Sequence, residues 1–264
     1  MTLSHIFIYP IKSLGGISVS QANLTDRGLE HDRRWLLVEP DGRFITQRQN
    51  TELALLQVDL QGTGCRVSHK VKQVQPLTFP FVPETNDRMQ VQVFKDQMPA
   101  VRVSDAADQW FSSELGTACH LVHMPDDSHR LVDPAYALQN DIVSFADGYP
   151  TNLISQASLD HLNEKLEIPI GMDRFRPNFV VKGTHPHAED EWGPFMMGGI
   201  RFIPAKPCGR CVIPTIDQET SEKSKEPTQT LLTYRKQGNK VNFGMNLLHE
   251  GVGELRVGMT IHQD

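Results

Sequence analysis

Short apolar runs that alternate with polar residues, each closed by a turn signal, fill most of the first hundred residues. This pattern constrains the fold more than any other feature. Ile6 and Ile8 alternate with Phe7. Arg34 to Val38 runs into Pro40-Asp41-Gly42, a turn from which Phe44 to Thr46 is expected to return as the partner strand. Met89, Val91 and Val93 alternate with Gln90, Gln92 and Phe94, and Lys95-Asp96-Gln97 is expected to turn that strand toward Val101 and Val103. A period of two places successive side chains on opposite faces, so these segments predict an antiparallel, barrel-like meander.

Helical signals are fewer. Ser104 and Asp105 are good N-caps, Ala106, Trp110, Phe111 and Leu115 recur at helical spacing, and Gly116 supplies a stop. A second helix is expected after Ser155, with Leu159, Leu162 and Leu166 on one stripe. A third is expected to open at Pro227 and to carry Leu231, Leu232 and Arg235. Phe179 to Val181, Ile200 to Ile203 and Leu255 to Ile261 read as short strands. Asp217 to Pro227 and His185 to Trp192 read as polar, exposed loops, the first of them mobile. The expected fold class is mainly β with α elements (α+β). Its boundary falls within 112–130, giving domains at 1–117 and 118–264.

A chain of 264 residues can bury a sizeable core. The 26 Lys and Arg against 32 Asp and Glu give a net charge of -6, which lacks the basic signature of a protein that binds a nucleic-acid polymer. No run approaches the roughly 18 apolar residues of a membrane-spanning helix. The first ten residues have neither a basic n-region nor a small-residue cleavage site, so they read as a first strand. A cytoplasmic monomer without a membrane partner is expected.

Of four cysteines, only Cys208 and Cys211 are close, in Lys206-Pro207-Cys208-Gly209-Arg210-Cys211. Three chemistries compete with two inert thiols. A redox pair would need a helix after it to activate the thiol, and Pro214 argues against one. A zinc half-site would need further ligands, yet there is no second C-x-x-C and no His-x₃₋₅-His. The remaining chemistry is a single soft-metal thiolate. No cysteine follows Cys211, so an iron–sulfur cluster held by four thiolates in the last 53 residues is excluded.

Cations gather beside small loops. Lys12-Ser13-Leu14-Gly15-Gly16 offers an ammonium, a hydroxyl and flexible amides suited to an anion, without the order of a Walker motif. Arg33 and Arg34 follow Asp32, and Arg174 and Arg176 flank Phe175; each alone reads as a solvated or salt-bridged surface arginine before it reads as an anion contact. His185, His187, Glu189 and Asp190 read as surface residues before they read as a metal cluster. There is no Gly-x-Ser-x-Gly elbow.

Seven short blocks, in order, resemble the MOSC superfamily, in the branch of bacterial YcbX-type proteins and the mitochondrial amidoxime-reducing component. They are Tyr9-Pro10-Ile11-Lys12-Ser13, Asp32-Arg33-Arg34-Trp35, Ile45-Thr46-Gln47-Arg48-Gln49, Phe145-Ala146-Asp147-Gly148-Tyr149-Pro150, Phe175-Arg176-Pro177-Asn178, the C-x-x-C block, and Phe243-Gly244-Met245-Asn246. The resemblance implies a MOSC N-terminal β-barrel domain packed on a MOSC β-barrel domain. It also implies a molybdenum cofactor, molybdenum on molybdopterin, held between the two. Cys211 would be the metal ligand and Cys208 a structural neighbour. Lys12, Ser13, Arg33, Arg176, Asn178 and Arg210 would contact the cofactor, and Asp147 with Cys211 would be the catalytic residues. A thiolate suits so soft a metal. The superfamily is also associated with pyridoxal phosphate binding.

The reaction implied is two-electron reduction of small N-hydroxylated compounds, N–OH to N–H plus water. The cofactor carries the redox step and the protein supplies position and charge. Many bacterial relatives continue into a ferredoxin-like domain that is expected to be missing here, as is the mitochondrial membrane anchor. Either electrons come from a separate ferredoxin- or flavoprotein-type donor, or the chain is a piece of a longer protein. A non-catalytic cofactor carrier or sulfur-transfer module, and a Cys208/Cys211 thiol oxidoreductase, are the alternatives.

Overall fold

A computed structural model describes residues 1–263. Its backbone is a nine-stranded sheet flanked by four smaller sheets. The large sheet runs Ile17–Val19, Thr2–Ile8, Phe179–Lys182, Thr151–Ser155, Lys240–Glu250, Ile200–Gly209, Phe195–Met197 and Ile261–Gln263, with Lys236–Gln237 pairing off its path. Only Thr151–Ser155 and Phe179–Lys182 pair in parallel among its strands. Parallel neighbours need a crossover, and it contains the helix Gln156–Asn163, α2, capped by the Ser155 hydroxyl on the Ser158 amide. Ile6 and Ile8 alternate, and an irregularity in the pairing between Leu3 and His5 brings Leu3 to the same face, so all three reach a core shared with Leu153, Phe179, Phe202 and Leu247.

In the first half, Trp35–Val38, His120–His123, Asp96–Arg102 and Arg88–Val93 form one sheet, and Leu56–Gln61, Gly64–His69 and Leu77–Pro80 another. Both cover a core that includes Trp35, Leu56, Val67, Phe79, Phe111 and Leu121. The helix Asp105–Leu115, α1, adds Phe111 to it. Ser104 caps α1 through the Ala107 amide, and Gly116 ends it in the left-handed region at φ 65°. The helix Thr228–Tyr234, α3, starts just after Pro227 and carries Leu231 and Leu232, whereas Arg235 lies past its end.

Several expectations are corrected. Phe44 meets Val38 at one isolated bridge, and the real partner of Trp35–Val38 is the distant strand His120–His123. The Met89 hairpin turns on Phe94 and Lys95, because Asp96 already pairs with Val93. Leu166 lies beyond the end of α2. The segment after Asp217 is tied down rather than loose: Gln218 is 5% exposed, its amide accepts from Gln47, and its carbonyl accepts from Lys70. His185 is exposed, but His187 packs against the rings of His161, Tyr234 and Phe243.

Candidate functional site

One end of the large sheet gathers the chain's cationic loops. Thr2–Ile8 ends there, Thr151–Ser155 and Phe179–Lys182 begin there, and Ile200–Gly209 delivers the cysteine pair. A cleft between these ends is lined by all eight residues that the sequence singles out: Lys12, Ser13, Arg33, Asp147, Arg176, Asn178, Arg210 and Cys211. Its lining holds six cations (the four basic residues just named, Arg48 and Arg174) against one carboxylate, Asp147.

Ordinary local structure would not aim these side chains inward. Ser13, Arg33 and Arg176 all have left-handed backbone, at φ 73°, 49° and 54°. Such conformations are disfavoured for residues with a Cβ, and they persist where the surroundings over-determine them. Here Arg33 donates to Asp32 at 2.7 Å, to Asn178 Oδ1 at 3.2 Å and to the Arg176 carbonyl at 3.1 Å. Arg33 and Arg176 both stack on Tyr9, each with its guanidinium carbon 4.3 Å from the ring centre. Gly16 makes room for that ring, since a Cβ there would lie 2.3 Å from Tyr9.

The electrostatics leave positive charge unmet. Lys12 is 6% exposed and its Nζ sits 2.5 Å from Asp147 Oδ1. Burial pulls the Lys12 ammonium down to about 8 despite that partner. Burial, with Arg33 close by, also draws Arg176 down to about 10, and one of its terminal nitrogens, Nη2, has no hydrogen-bond partner. Asp147 is solvent-facing, at 63% side-chain exposure. Partial desolvation by the cleft beneath it opposes ionisation, but Lys12 and Arg48 outweigh that and hold the carboxyl well below its usual range. Two buried or half-buried cations thus share one exposed carboxylate. An anion entering the cleft would relieve the imbalance.

Cys211 is exposed, and its sulfur accepts from the Ile213 amide at 3.5 Å. Arg48 reaches the same sulfur as well as Asp147. Cys208 is half-buried, and burial pushes its thiol up. Gly209 ends the strand and Ile213–Thr215 forms a single 3-10 turn, so no α-helix follows the pair. Among the described residues, no group of three His, Cys, Asp or Glu could hold a metal by itself.

Some candidates brace the site rather than face it. Arg210 donates to the carbonyls of Phe243 and Phe175, both at 2.7 Å, and to Asn152 Oδ1 at 3.2 Å. Asn178 is 1% exposed and its amide is engaged by Arg33, Asn152 and Phe7. Arg174 ties down Pro214 and Asp217, and Arg34 turns away to Met124 and Asp126. Three amides of the glycine loop are already spent within the fold, since Lys12, Leu14 and Gly15 donate to Trp35, Ile11 and Leu56. Arg48 was missed as a site residue; its only signal was its place inside the Ile45-Thr46-Gln47-Arg48-Gln49 block.

Residues 1–118 match the family model described as MOSC N-terminal beta barrel domain, and residues 140–262 the one described as MOSC domain. Among similar proteins, Mitochondrial amidoxime reducing component 2 of Rattus norvegicus is 33% identical, across 99% of this chain and 83% of its own length. Mitochondrial amidoxime-reducing component 1 of Homo sapiens is 30% identical, across 99% and 82%. Molybdenum cofactor sulfurase of Oryza sativa subsp. japonica is 30% identical across 96% of this chain, which spans 33% of that protein.

Proposed function

The chain belongs to the family in which a MOSC N-terminal beta barrel domain precedes a MOSC domain, and from that premise we propose that it is a molybdenum-cofactor-dependent reductase of N-hydroxylated compounds, supplied with electrons by a separate protein. The observation that carries the reading is the pairing of one exposed thiol with a six-cation lining in a single cleft. That donor set fits a phosphate-bearing, soft-metal group. The unpartnered Arg176 Nη2, with Arg33 beside it, would meet the phosphate, and Cys211 would give the metal one thiolate. The cleft has an enclosed volume of about 120 Å³ and is open on the side where Asp147 faces solvent. When bound, the cofactor supplies the two-electron redox chemistry.

The overall change is R–NHOH plus two electrons and two protons to R–NH₂ plus water. The chain's part in it is positional and protonic. Asp147 stays ionised, so it serves as an acceptor that orients the substrate's N–OH. The acidic proton nearby sits on Lys12 Nζ, whose lowered affinity suits it to proton delivery near neutral pH. Asn178 and Arg210 keep the cleft walls in register.

A second reading, a cofactor carrier or sulfur-transfer module, is favoured by the match to Molybdenum cofactor sulfurase. Protein from a host that makes the cofactor separates the readings by molybdenum and pterin content and by amidoxime reduction with a reduced viologen dye. The expected result is near-stoichiometric molybdenum with turnover. Cys211→Ser should lose the metal and at least about a hundredfold in kcat/KM, roughly 3 kcal/mol, while Cys208→Ser retains most of both. Bound cofactor without turnover in the wild type would establish the carrier. Equal loss in both variants would point to dithiol chemistry, and a chain with neither molybdenum nor pterin would sink the proposal.

A further inference from the structure

Beyond Asp147 the cleft opens into a groove of about 800 Å³ that shares Asp147, Gly148 and Tyr149 with it. We propose, resting on the reductase reading above, that this groove holds the non-reacting body of the substrate and that Phe94 selects a flat aromatic one. The argument starts from a conflict between residue and turn. Phe94 and Lys95 form the two-residue tip of the hairpin joining Arg88–Val93 to Asp96–Arg102, and Phe94 has φ 56°. Such tips call for glycine, asparagine or aspartate, because a bulky side chain is strained at positive φ. A phenylalanine there is out of keeping with its turn, and strain of this kind marks functional positions.

The position of the ring supplies the reason. Phe94 is 41% exposed and packs edge-on against Phe44, with ring centres 5.1 Å apart. The Arg48 guanidinium lies 5.1 Å from its centre and Lys12 Nζ 5.7 Å from it. Those two cations line the cleft, whereas Phe94 itself lines the groove, so the ring forms the ridge between them. Tyr149 offers a second aromatic wall, braced edge-on by Tyr136 at 6.1 Å, with Lys206 Nζ 4.3 Å from the Tyr136 ring centre. The formal charges lining the groove balance: Lys95, Arg130 and Lys206 against Asp96, Asp133 and Asp147. Selection by net charge is therefore weak, and selection by ring stacking is what the walls provide. An N-hydroxylated group carried on an aryl or heteroaryl ring would place its N–OH toward Asp147 and its ring against Phe94.

Glycine suits the turn, so Phe94→Gly should fold at least as stably as the wild type. Two readouts are taken on it and on Phe94→Trp: calorimetric binding of benzamidine, which has no N–O bond to reduce, and kcat/KM for benzamidoxime and acetamidoxime. Phe94→Gly should bind benzamidine about fivefold more weakly. Its aromatic-over-aliphatic preference should fall by about the same factor through KM, and Phe94→Trp should retain both. Unchanged benzamidine affinity and preference in Phe94→Gly would overturn the proposal and leave Phe94 a turn residue. If molybdenum-loaded wild type reduces neither amidoxime, the reductase reading fails. The benzamidine arm then decides the groove alone, a loss supporting it and no change overturning it.

Discussion

Lys12 shows what burying an unmatched cation does to a protein. Its ammonium falls from 10.5 to about 8, with burial the larger cause and Asp147 only partly compensating. Below pH 8 the residue is protonated in both folded and unfolded chains, and the penalty is fully present. Between pH 8 and 10.5 the unfolded chain binds more protons than the folded one, so this site's contribution to stability rises with pH. The shift corresponds to at most about 3 kcal/mol. In cofactor-free protein the stability difference between Lys12→Met and wild type should therefore shrink from pH 7.5 to 10, as followed by urea unfolding at each pH. A difference independent of pH would show that Lys12 is matched in the folded state. Asp147 acts in the opposite direction. Held below its usual range, it contributes stability that is lost as pH falls through its folded value.

Among the elements, the strand Lys240–Glu250 connects site and core most directly. It pairs with Thr151–Ser155 on one side and with Ile200–Gly209 on the other, so it sets the register of the cysteine pair against the Asp147 loop. At its centre Gly244 has φ 81°, and a Cβ there would lie 2.6 Å from Ile154 Cγ1, 2.8 Å from the Leu153 carbonyl and 3.2 Å from Arg210 Nη2. None of the first two neighbours is the far end of a flexible chain. Gly244→Ala should cost at least about 2 kcal/mol and lower molybdenum retention together with stability. Differential scanning calorimetry and metal analysis on one preparation check both. A stable variant that keeps its metal would mean that the strand shifts freely.

At the scale of the whole molecule, the two halves interlock through their sheets. Strand Thr2–Ile8 pairs with Phe179–Lys182 and Gln21–Thr25 with Gly253–Arg256, and a cut after residue 117 also separates His120–His123 from sheet partners that lie within residues 35–102. Gln47 and Gln218 add a buried amide pair across the same divide. Fragments 1–117 and 118–264 should consequently not fold apart, because each would expose unpaired strand edges and half of a core. Circular dichroism and proton NMR of the separate fragments check this, and a dispersed NMR spectrum from either one would refute it. No helix among the described residues is long and apolar enough to cross a membrane.

Local chemistry alone determined the mainly β character, the caps of α1 and α2 at Ser104 and Ser155, and the short blocks that carry the family likeness. Each depends on side-chain alternation or on a hydrogen bond within a few residues. Tertiary structure alone decided that Trp35–Val38 would pair with His120–His123 rather than with its neighbour, since strand choice follows from burial across the whole core. It also set the division of labour among the arginines. The sequence shows Arg34, Arg174, Arg176 and Arg210 as similar cations, but partners distant in the chain make three of them braces and leave Arg176 with a free nitrogen in the cleft. Arg48 and Phe94 entered the site the same way. Their importance comes from the charges and rings that folding brings within about 6 Å of them, a distance over which cation–π attraction acts.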